Sequence, residues 1–431
     1  MMGVSRLRCL LLLVTVSAGC ALLCAYCLHI PLPDRLTERH KLQLYEFALR
    51  VALTYPVRFL SAFVNAYASV RWSRWTLNNF MLVYTPWTLS DPEMAIADQR
   101  WAQVPVRVYR PHRRANDGAI LFIHGGGWVL GDVGGYEAVT RELARRSRMV
   151  VASIDYRLAP EHVFPAGLLD CERAVVHFLR NAHRYGVDAN RTVVMGDSAG
   201  GNLAAVMTQR LRHRPDLPQL KLQVLLYPLL QYHDFQLPSY QAHSKSPLAH
   251  SAFLHPEHIA RYGLMYLGFD VDANPGHVSS VMANGHAVWE AAERRTTRHG
   301  GRYLLDALDH GRLPARFRQH AHYEPPHATN NDTDKDLELY RKLEPYLFDP
   351  NFAPLVQRDL QGLPPAFVLT CEFDVLRDEG ALYASRLREQ RVPVEWRHYE
   401  GGFHAMLNFF MKLQLGSRAM DDVVSYVRRH V

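Results

Sequence analysis

The chain has 431 residues, enough to bury a large core in one big domain or two to three smaller ones. Its 48% hydrophobic and 21% charged content is that of an ordinary globular enzyme and excludes a disordered or collagen-like protein. The formal charge of +7 is modest and spread along the chain, with no basic stripe interleaved with aromatics, so nucleic acid is not an expected partner.

Six cysteines are too few for a disulfide scaffold, and four of them (Cys9, Cys20, Cys24 and Cys27) fall in one N-terminal apolar run. Cys9 to Ile30 is an uncharged stretch of 22 residues, long enough to cross a hydrocarbon core as a helix. Arg6 and Arg8 precede it, and Pro31-Leu32-Pro33-Asp34 ends it. A cleaved signal peptide at Ser17-Ala18-Gly19 is the competing reading; the apolar run continues well past those small residues, which favours a retained anchor. The leading arginines place the N-terminus in the cytoplasm, although Arg35, Arg39 and Lys41 blunt the asymmetry. Asn190-Arg191-Thr192 and Asn331-Asp332-Thr333 are glycosylation sequons that matter only to a lumenal body. Asn331, in a polar stretch, is the better acceptor, because Asn190 sits just before a buried strand.

From Lys41 to Tyr67 apolar residues recur at helical spacing, broken near Pro56. Such a helix either covers a core or lies on a membrane surface, and covering is the simpler reading. Beyond it strands and helices alternate. Val104–Tyr109, Ile120–Ile123, Val150–Asp155, the run from Val193, Leu222–Tyr227, Ala366–Cys371 and Val392–Tyr399 read as strands. Helices are expected around Asp170–His183, after Ser198, and at Gly380–Gln390 and Asp421–His430. This alternation predicts a mostly parallel sheet covered on both faces. Between Tyr232 and about Asn351 the pattern loosens into a long insertion rich in His, Arg and Pro, of the kind that caps a site. Its seven arginines from Arg294 to Arg318 read as a solvated helical face. Its histidines, including His320 and His322, read as surface residues, and no metal-ligand spacing occurs.

The chemistry centres on Met195-Gly196-Asp197-Ser198-Ala199-Gly200, a G-x-S-x-G between an apolar strand and a small-residue helix. That context sets a serine hydroxyl on a sharp, exposed turn. The hydroxyl needs a base to take its proton and a third group to orient the base. With this turn the chain order is nucleophile, acid, histidine, and Asp374 and His404 both stand just past strand ends downstream. Glu372 and Asp378 compete as the acid, Asp378 fitting better as a helix cap. His398 competes with His404 but lies inside a strand pattern. His124-Gly125-Gly126-Gly127-Trp128 follows a strand directly, and three glycines let backbone N–H groups approach a substrate oxygen. The N–H of Ala199 completes such a hole. The phosphate-binding contexts G-x-x-x-x-G-K-[ST] and G-x-G-x-x-G are both absent.

HGGGW, then Asp155-Tyr156-Arg157-Leu158-Ala159-Pro160-Glu161, Phe164-Pro165-Ala166, GDSAGGN, the segment Leu369 to Asp378 and EGGFH resemble the hormone-sensitive lipase family of α/β hydrolases. The N-terminal anchor and the Leu363-Pro364 to Asp378 stretch look most like its arylacetamide deacetylase branch, and its like-4 members in particular. The resemblance is clearest from Ile120 to Asn408 and weak in the cap. It implies a serine esterase anchored in the endoplasmic reticulum membrane, single-pass type II with a lumenal catalytic domain, acting on acyl esters or arylacetamides. Ser198, Asp374 and His404 match the family's nucleophile, acid and base; Gly125, Gly126 and Ala199 match its oxyanion donors, within the motif that His124 and Gly127 bound. Where several members carry a cysteine after the HGGGW tryptophan, able to pair with the one matching Cys371, this chain has Val129. That puts the bridge in doubt and makes Cys371 a free core thiol; Cys171 is the other cysteine of the body. The insertion around Arg294 to His327 is longer than usual, which puts substrate preference in doubt.

The expected organisation is a short cytoplasmic tail over 1–8, a transmembrane signal anchor over 9–30, an N-terminal helical cap segment over 31–100 and an α/β-hydrolase domain over 101–431, with its cap insertion at about 232–351. The expected substrate is a small hydrophobic ester or amide, with no metal or organic cofactor. Since His404 must be neutral to act as a base, activity is expected to fall in acid. Two other readings stand beside this one: a catalytically silent member of the fold that binds a partner, and an amidase or peptidase.

Overall fold

The computed structural model describes residues 12–20, 22, 26, 29–61, 66–82, 90–246, 248, 251, 253–287, 303–325 and 336–431. Nine of the 22 residues of the expected anchor and the sequon Asn331 lie outside these, as do the first four of the seven arginines, Arg294, Arg295, Arg298 and Arg302. Residues 12–20 are helical. Among the described residues no helix is long and apolar enough to cross a membrane.

After the helical residues 12–20, three described helices lead into the domain. After α1 (Arg39–Leu49) the backbone widens into a π turn, Arg50–Thr54, before α2 (Tyr55–Ser61) and α3 (Ala66–Leu82). The wide turn sits where Pro56 has no N–H to close an ordinary helical ladder, which is the expected break. The apolar periodicity had suggested an end near Tyr67; α3 continues to Leu82, and because Ser69, Ser73 and Thr76 share its buried face with Val70, the apolar pattern there is too sparse to mark it. The segment expected over 31–100 as a helical cap also holds most of a strand, β1 (Met94–Trp101). Its two end residues, Met94 and Trp101, are its buried side chains, so no run of inward apolar residues marks it. A turn with positive φ at Ala102 and Gln103 returns it as β2 (Val104–Pro111).

Strands buried on both faces read as near-continuous apolar runs, and such runs make the centre of the sheet. In chain order follow β3 (Ala119–Ile123), α4 (Glu137–Ser147), β4 (Val150–Ile154), α5 (Ala166–Asn181), β5 (Thr192–Asp197), α6 (Ala199–Leu211) and β6 (Leu222–Leu226). The insertion holds α7 (Pro238–Ser244), α8 (Pro256–Tyr266), α9 (Gly276–Met282), α10 (Tyr303–Ala307) and α11 (Leu337–Leu347), with no strand among its described residues. The chain closes with β7 (Ala366–Phe373), α12 (Arg377–Glu389), β8 (Val394–Phe403) and α13 (Gln414–His430).

The eight strands lie in the order β1-β2-β4-β3-β5-β6-β7-β8; β1–β2 and β2–β4 pair antiparallel and the rest parallel. Because successive side chains point to opposite faces, each strand feeds two cores. Leu121, Val194, Leu225 and Val368 join α5, α6 and α12; Ile120, Val193, Val224 and Leu369 join α4 and α13. Parallel neighbours bring the carboxyl ends of β3, β5, β7 and β8 to one edge, where ligand sites of open α/β sheets form.

The insertion is not polar inside. His233, His243, His286 and His310 are all buried, against the expectation of surface histidines; burial lowers the pKa of the first three and keeps them neutral. His320 is half-buried with Nε2 at 3.0 Å from the Pro238 carbonyl, and His322 is exposed. No group of metal-ligating side chains exists among the described residues. Of the arginines expected to line a helical face, Arg312 and Arg316 instead sit in 3₁₀ turns and pair with Glu389 and Glu400.

The start of the insertion is tied to α12 by Glu379. Its buried carboxyl accepts from the Leu230 N–H (2.5 Å), the Gln231 N–H (3.2 Å) and the Tyr240 hydroxyl (2.5 Å). Burial outweighs these donors and pushes its pKa from 4.5 up to about 8. The folded state therefore holds this proton where the unfolded chain has released it, so the contribution of this one carboxyl to stability is greatest in acid and falls as pH rises from 4.5 to about 8. Glu379→Gln should flatten that fall: thermal unfolding should find the variant's Tm, relative to wild type, higher near pH 8 than near pH 5. An equal offset at both values contradicts the assignment.

Candidate active site

Ser198 stands between β5 and α6 with φ 55° and ψ −123°, a backbone conformation strained for a side-chain-bearing residue. The turn closes only because glycines flank it. A Cβ on Gly196 would lie 2.2 Å from the Gly200 carbonyl oxygen, and one on Gly200 would lie 2.1 Å from that of Ile123. The Ser198 N–H donates to the Leu226 carbonyl at 2.9 Å, which fixes the turn to the neighbouring strand.

Asp374 follows β7 directly and is fully buried; one of its oxygens accepts the Leu376 N–H at 2.9 Å. His404 follows β8 directly. Its Nδ1 is 2.9 and 3.0 Å from the Asp374 oxygens, and its Nε2 is 3.0 Å from Ser198 Oγ. The fold thus brings Ser198, His404 and Asp374 into one hydrogen-bonded line across 206 and 30 positions of sequence. The ring of Tyr227 lies edge-on to the imidazole at 4.9 Å.

The competing residues have other partners. Glu372 accepts the Gly401 N–H at 2.7 Å and pairs with Arg35 at 3.1 Å, bracing the turn that carries His404. Asp378 is not the helix cap it was expected to be. The N-cap position is Leu376, and Asp378, one turn-position inside α12, accepts from the Ser239 N–H (2.7 Å) and from Arg377 (2.7 Å). His398 is held at 3.1 Å from Thr370 Oγ1 beside the Phe317 ring, and burial drives its pKa down to about 3.

The glycine turn after β3 reaches the same point. Gly125 does not match its expected role, because its N–H already donates to Asp197 Oδ1 at 2.8 Å. Among the described residues Gly126 and Gly127 direct their N–H groups to no protein acceptor, and both line the cavity with Ser198. Ala199 opens α6, where the first helical N–H groups have no partner within the helix. Gly126, Gly127 and Ala199 are therefore the donors that remain for a substrate oxygen. His124 is scaffold: its ring is fully buried, stacks on Tyr156 at 4.4 Å and sits 2.9 Å from the Gly125 carbonyl.

Sequence reasoning missed Asp197 and Tyr136. Asp197 is buried, its second oxygen accepts the Tyr136 hydroxyl at 2.9 Å, and burial raises its pKa to about 6. One side chain beside the serine thus fixes the glycine turn. The available signal was a charged residue ending an otherwise apolar strand. Arg74 was missed too; from α3 it donates to the Val129 (2.7 Å) and Ala159 (2.6 Å) carbonyls and pairs with Glu161. Cys171 and Cys371 are both buried and free, and Asn190 is exposed in a 3₁₀ turn against Asp188.

Above Ser198 lies a cavity of about 200 Å³, lined mostly by apolar side chains, among them Leu49, Leu77, Leu229, Phe253, Ile259 and Phe409. A reactive hydroxyl and an imidazole at the floor of an apolar chamber suit acyl transfer.

A family model described as the alpha/beta hydrolase fold matches residues 120–305 and 286–408. Among solved structures, a hyperthermophilic esterase from Pyrobaculum calidifontis superposes with a TM-score of 0.60 at 27% identity, over 84% of this chain and 93% of that one. Rat (Rattus norvegicus) arylacetamide deacetylase is 33% identical over 98% of this chain and 100% of its own. Human (Homo sapiens) arylacetamide deacetylase-like 3 is 32% identical over 78% of this chain and 79% of its own. The chain belongs to the α/β-hydrolase fold family, in the hormone-sensitive-lipase-like branch of the arylacetamide deacetylases. It is an ester-hydrolysing enzyme.

Replacing the group that holds the glycine turn should show in the rate. Asp197→Ala leaves the Gly125 N–H and the Tyr136 hydroxyl without their acceptor, and ester kcat should fall on the order of tenfold to a hundredfold with KM little changed. Steady-state kinetics showing wild-type kcat would contradict the role given to Asp197.

Proposed function

We propose that this chain is a membrane-anchored serine esterase and deacetylase that cleaves acyl esters and arylacetamides through an acyl-enzyme. The observation that carries the reading is the line Asp374–His404–Ser198, with steps of 2.9 and 3.0 Å, under an apolar chamber. The names of the relatives and the esterase neighbours support both the reaction and the substrate class.

Asp374 accepts the Nδ1–H of a neutral His404, which leaves Nε2 free to accept the Ser198 proton. As that proton moves, Ser198 Oγ bonds to the substrate carbonyl carbon and negative charge gathers on the carbonyl oxygen. Gly126, Gly127 and Ala199 donate to it. The imidazolium then protonates the departing alcohol or amine as its bond to carbon breaks. Water enters, gives a proton to His404 and attacks the acyl carbon; the acid leaves and Ser198 regains its proton. Each pass returns every protein group to its starting state.

The apolar lining favours a short acyl chain or a single aromatic ring over a charged substrate. Residues 9–30, an uncharged run of 22, support anchoring with the body in the lumen of the endoplasmic reticulum, where Asn190 and Asn331 are candidate glycosylation sites.

Hydrolysis of p-nitrophenyl butyrate by the full-length membrane protein, beside Ser198→Ala, tests the reading. The variant should lose about a thousandfold or more in kcat. Matched activity in both proteins, or none in a folded wild type, contradicts it.

A further inference from the structure

Helices on a domain in water turn apolar side chains inward and charges outward. Here α1 and α3 bury ions and hydroxyls beside Leu42 and Val70, and leave large apolar side chains outside. Along α1 and the π turn that continues it, the buried line includes Glu46 and Arg50, an ion pair at 3.0 Å with both side chains at most 4% exposed. The outward line is Leu44, Phe47 and Val51, at 63, 37 and 44% exposure and at i, i+3 and i+7 spacing. Ala48 and Ala52 fill the same exposed face. On α3 the buried line includes Ser69, Ser73 and Thr76, while Trp72 and Trp75 stand 37 and 61% exposed with ring centroids 5.5 Å apart.

In water both halves of this arrangement are unfavourable: ions and hydroxyls lose hydration inside, and large apolar groups stay wet outside. Against hydrocarbon the outward half becomes favourable. We infer that the outer face of α1 and α3 is embedded in the lipid interface, with a bilayer as its partner. Three observations choose lipid over another occupant. The uncharged run Cys9–Ile30 ends nine positions before α1 begins, so this face lies next to the stretch long enough to span a bilayer. Tryptophan is the side chain enriched at the boundary of headgroup and hydrocarbon. Exposed Lys41 and Arg71 are placed beside the apolar face, where anionic headgroups attract cations.

The inward side of the same helices reaches the site. Leu49 and Leu77 line the chamber above Ser198, and Arg74 pins α3 to the carbonyl of Val129, just past the glycine turn. A layer with lipid on one side and the acyl chamber on the other gives substrate dissolved in the membrane a direct entry. This consequence rests on the proposed esterase function; the lipid contact does not.

The test uses the full-length chain in vesicles of phosphatidylcholine and phosphatidylserine, with and without brominated acyl chains, which quench tryptophan at short range. The apolar run Cys9–Ile30 contains no tryptophan, so it adds no signal. Brominated lipid should remove roughly a quarter of the wild-type emission, the share of two among seven tryptophans, and that component should vanish in Trp72→Phe/Trp75→Phe, which keeps the face apolar. Equal quenching of both proteins overturns the lipid contact, whether a second copy or the chain itself covers the face. In a second arm, Trp75→Asp should raise KM about tenfold for a long-chain ester dissolved in the vesicles, with kcat/KM for water-soluble p-nitrophenyl acetate unchanged. Equal loss on both substrates overturns the entry route. The quenching arm also runs on Ser198→Ala, so failure of the catalytic reading leaves it readable.

Discussion

Everything at the site depends on one close approach. β5 must end in a reversed backbone at Ser198, and α6 must begin so near β3 that no side chain fits at Gly200. The strain at Ser198 is carried by its surroundings: the N–H bond to β6, the tight glycine contacts and the fully buried strands on either side. Asp197 links that turn to a second one, since its carboxylate takes the N–H of Gly125 and the hydroxyl of Tyr136. The proposed nucleophile and oxyanion donors are thereby set by a single strand end, and the position of one cannot shift without the other.

The remaining two groups arrive from β7 and β8, whose pairing fixes their separation before any side chain is considered. Asp374 is buried and given a backbone donor; His404 is held from behind by Asp374 and from the side by Tyr227. The turn that carries His404 is in turn braced from far along the chain, where Glu372 and Thr37 bond the two backbone groups of Gly401. The segment just after the apolar run is therefore part of the scaffold of the site.

The parallel core was legible because strands buried on both faces are written as apolar runs, and Val193 to Ser198 could hardly be read otherwise. Ser198, Asp374 and His404 were legible because the turn dictates their order along the chain. Three other features were hidden for physical reasons. β1 has only its end residues buried, so no alternation marks it. The assignment of Gly125 failed because spacing cannot tell which of three consecutive N–H groups a neighbouring carboxylate has already engaged. The insertion histidines looked superficial because composition cannot show that neutral imidazoles pack among Tyr232, Phe235 and Phe348. A similar mixture explains why α3 was cut short: with tryptophans outside, and three hydroxyl-bearing residues inside beside Val70, its inward apolar stripe is too thin to read.

The central claim is that Ser198 carries the acyl group between two half-reactions. Rapid acid quenching during turnover of a slowly hydrolysed aryl ester, followed by peptide mass spectrometry, tests it most directly. The account predicts an acyl adduct on the peptide containing Ser198, absent from Ser198→Ala. An adduct on another residue, or turnover with no covalent species under conditions where deacylation limits the rate, would contradict it.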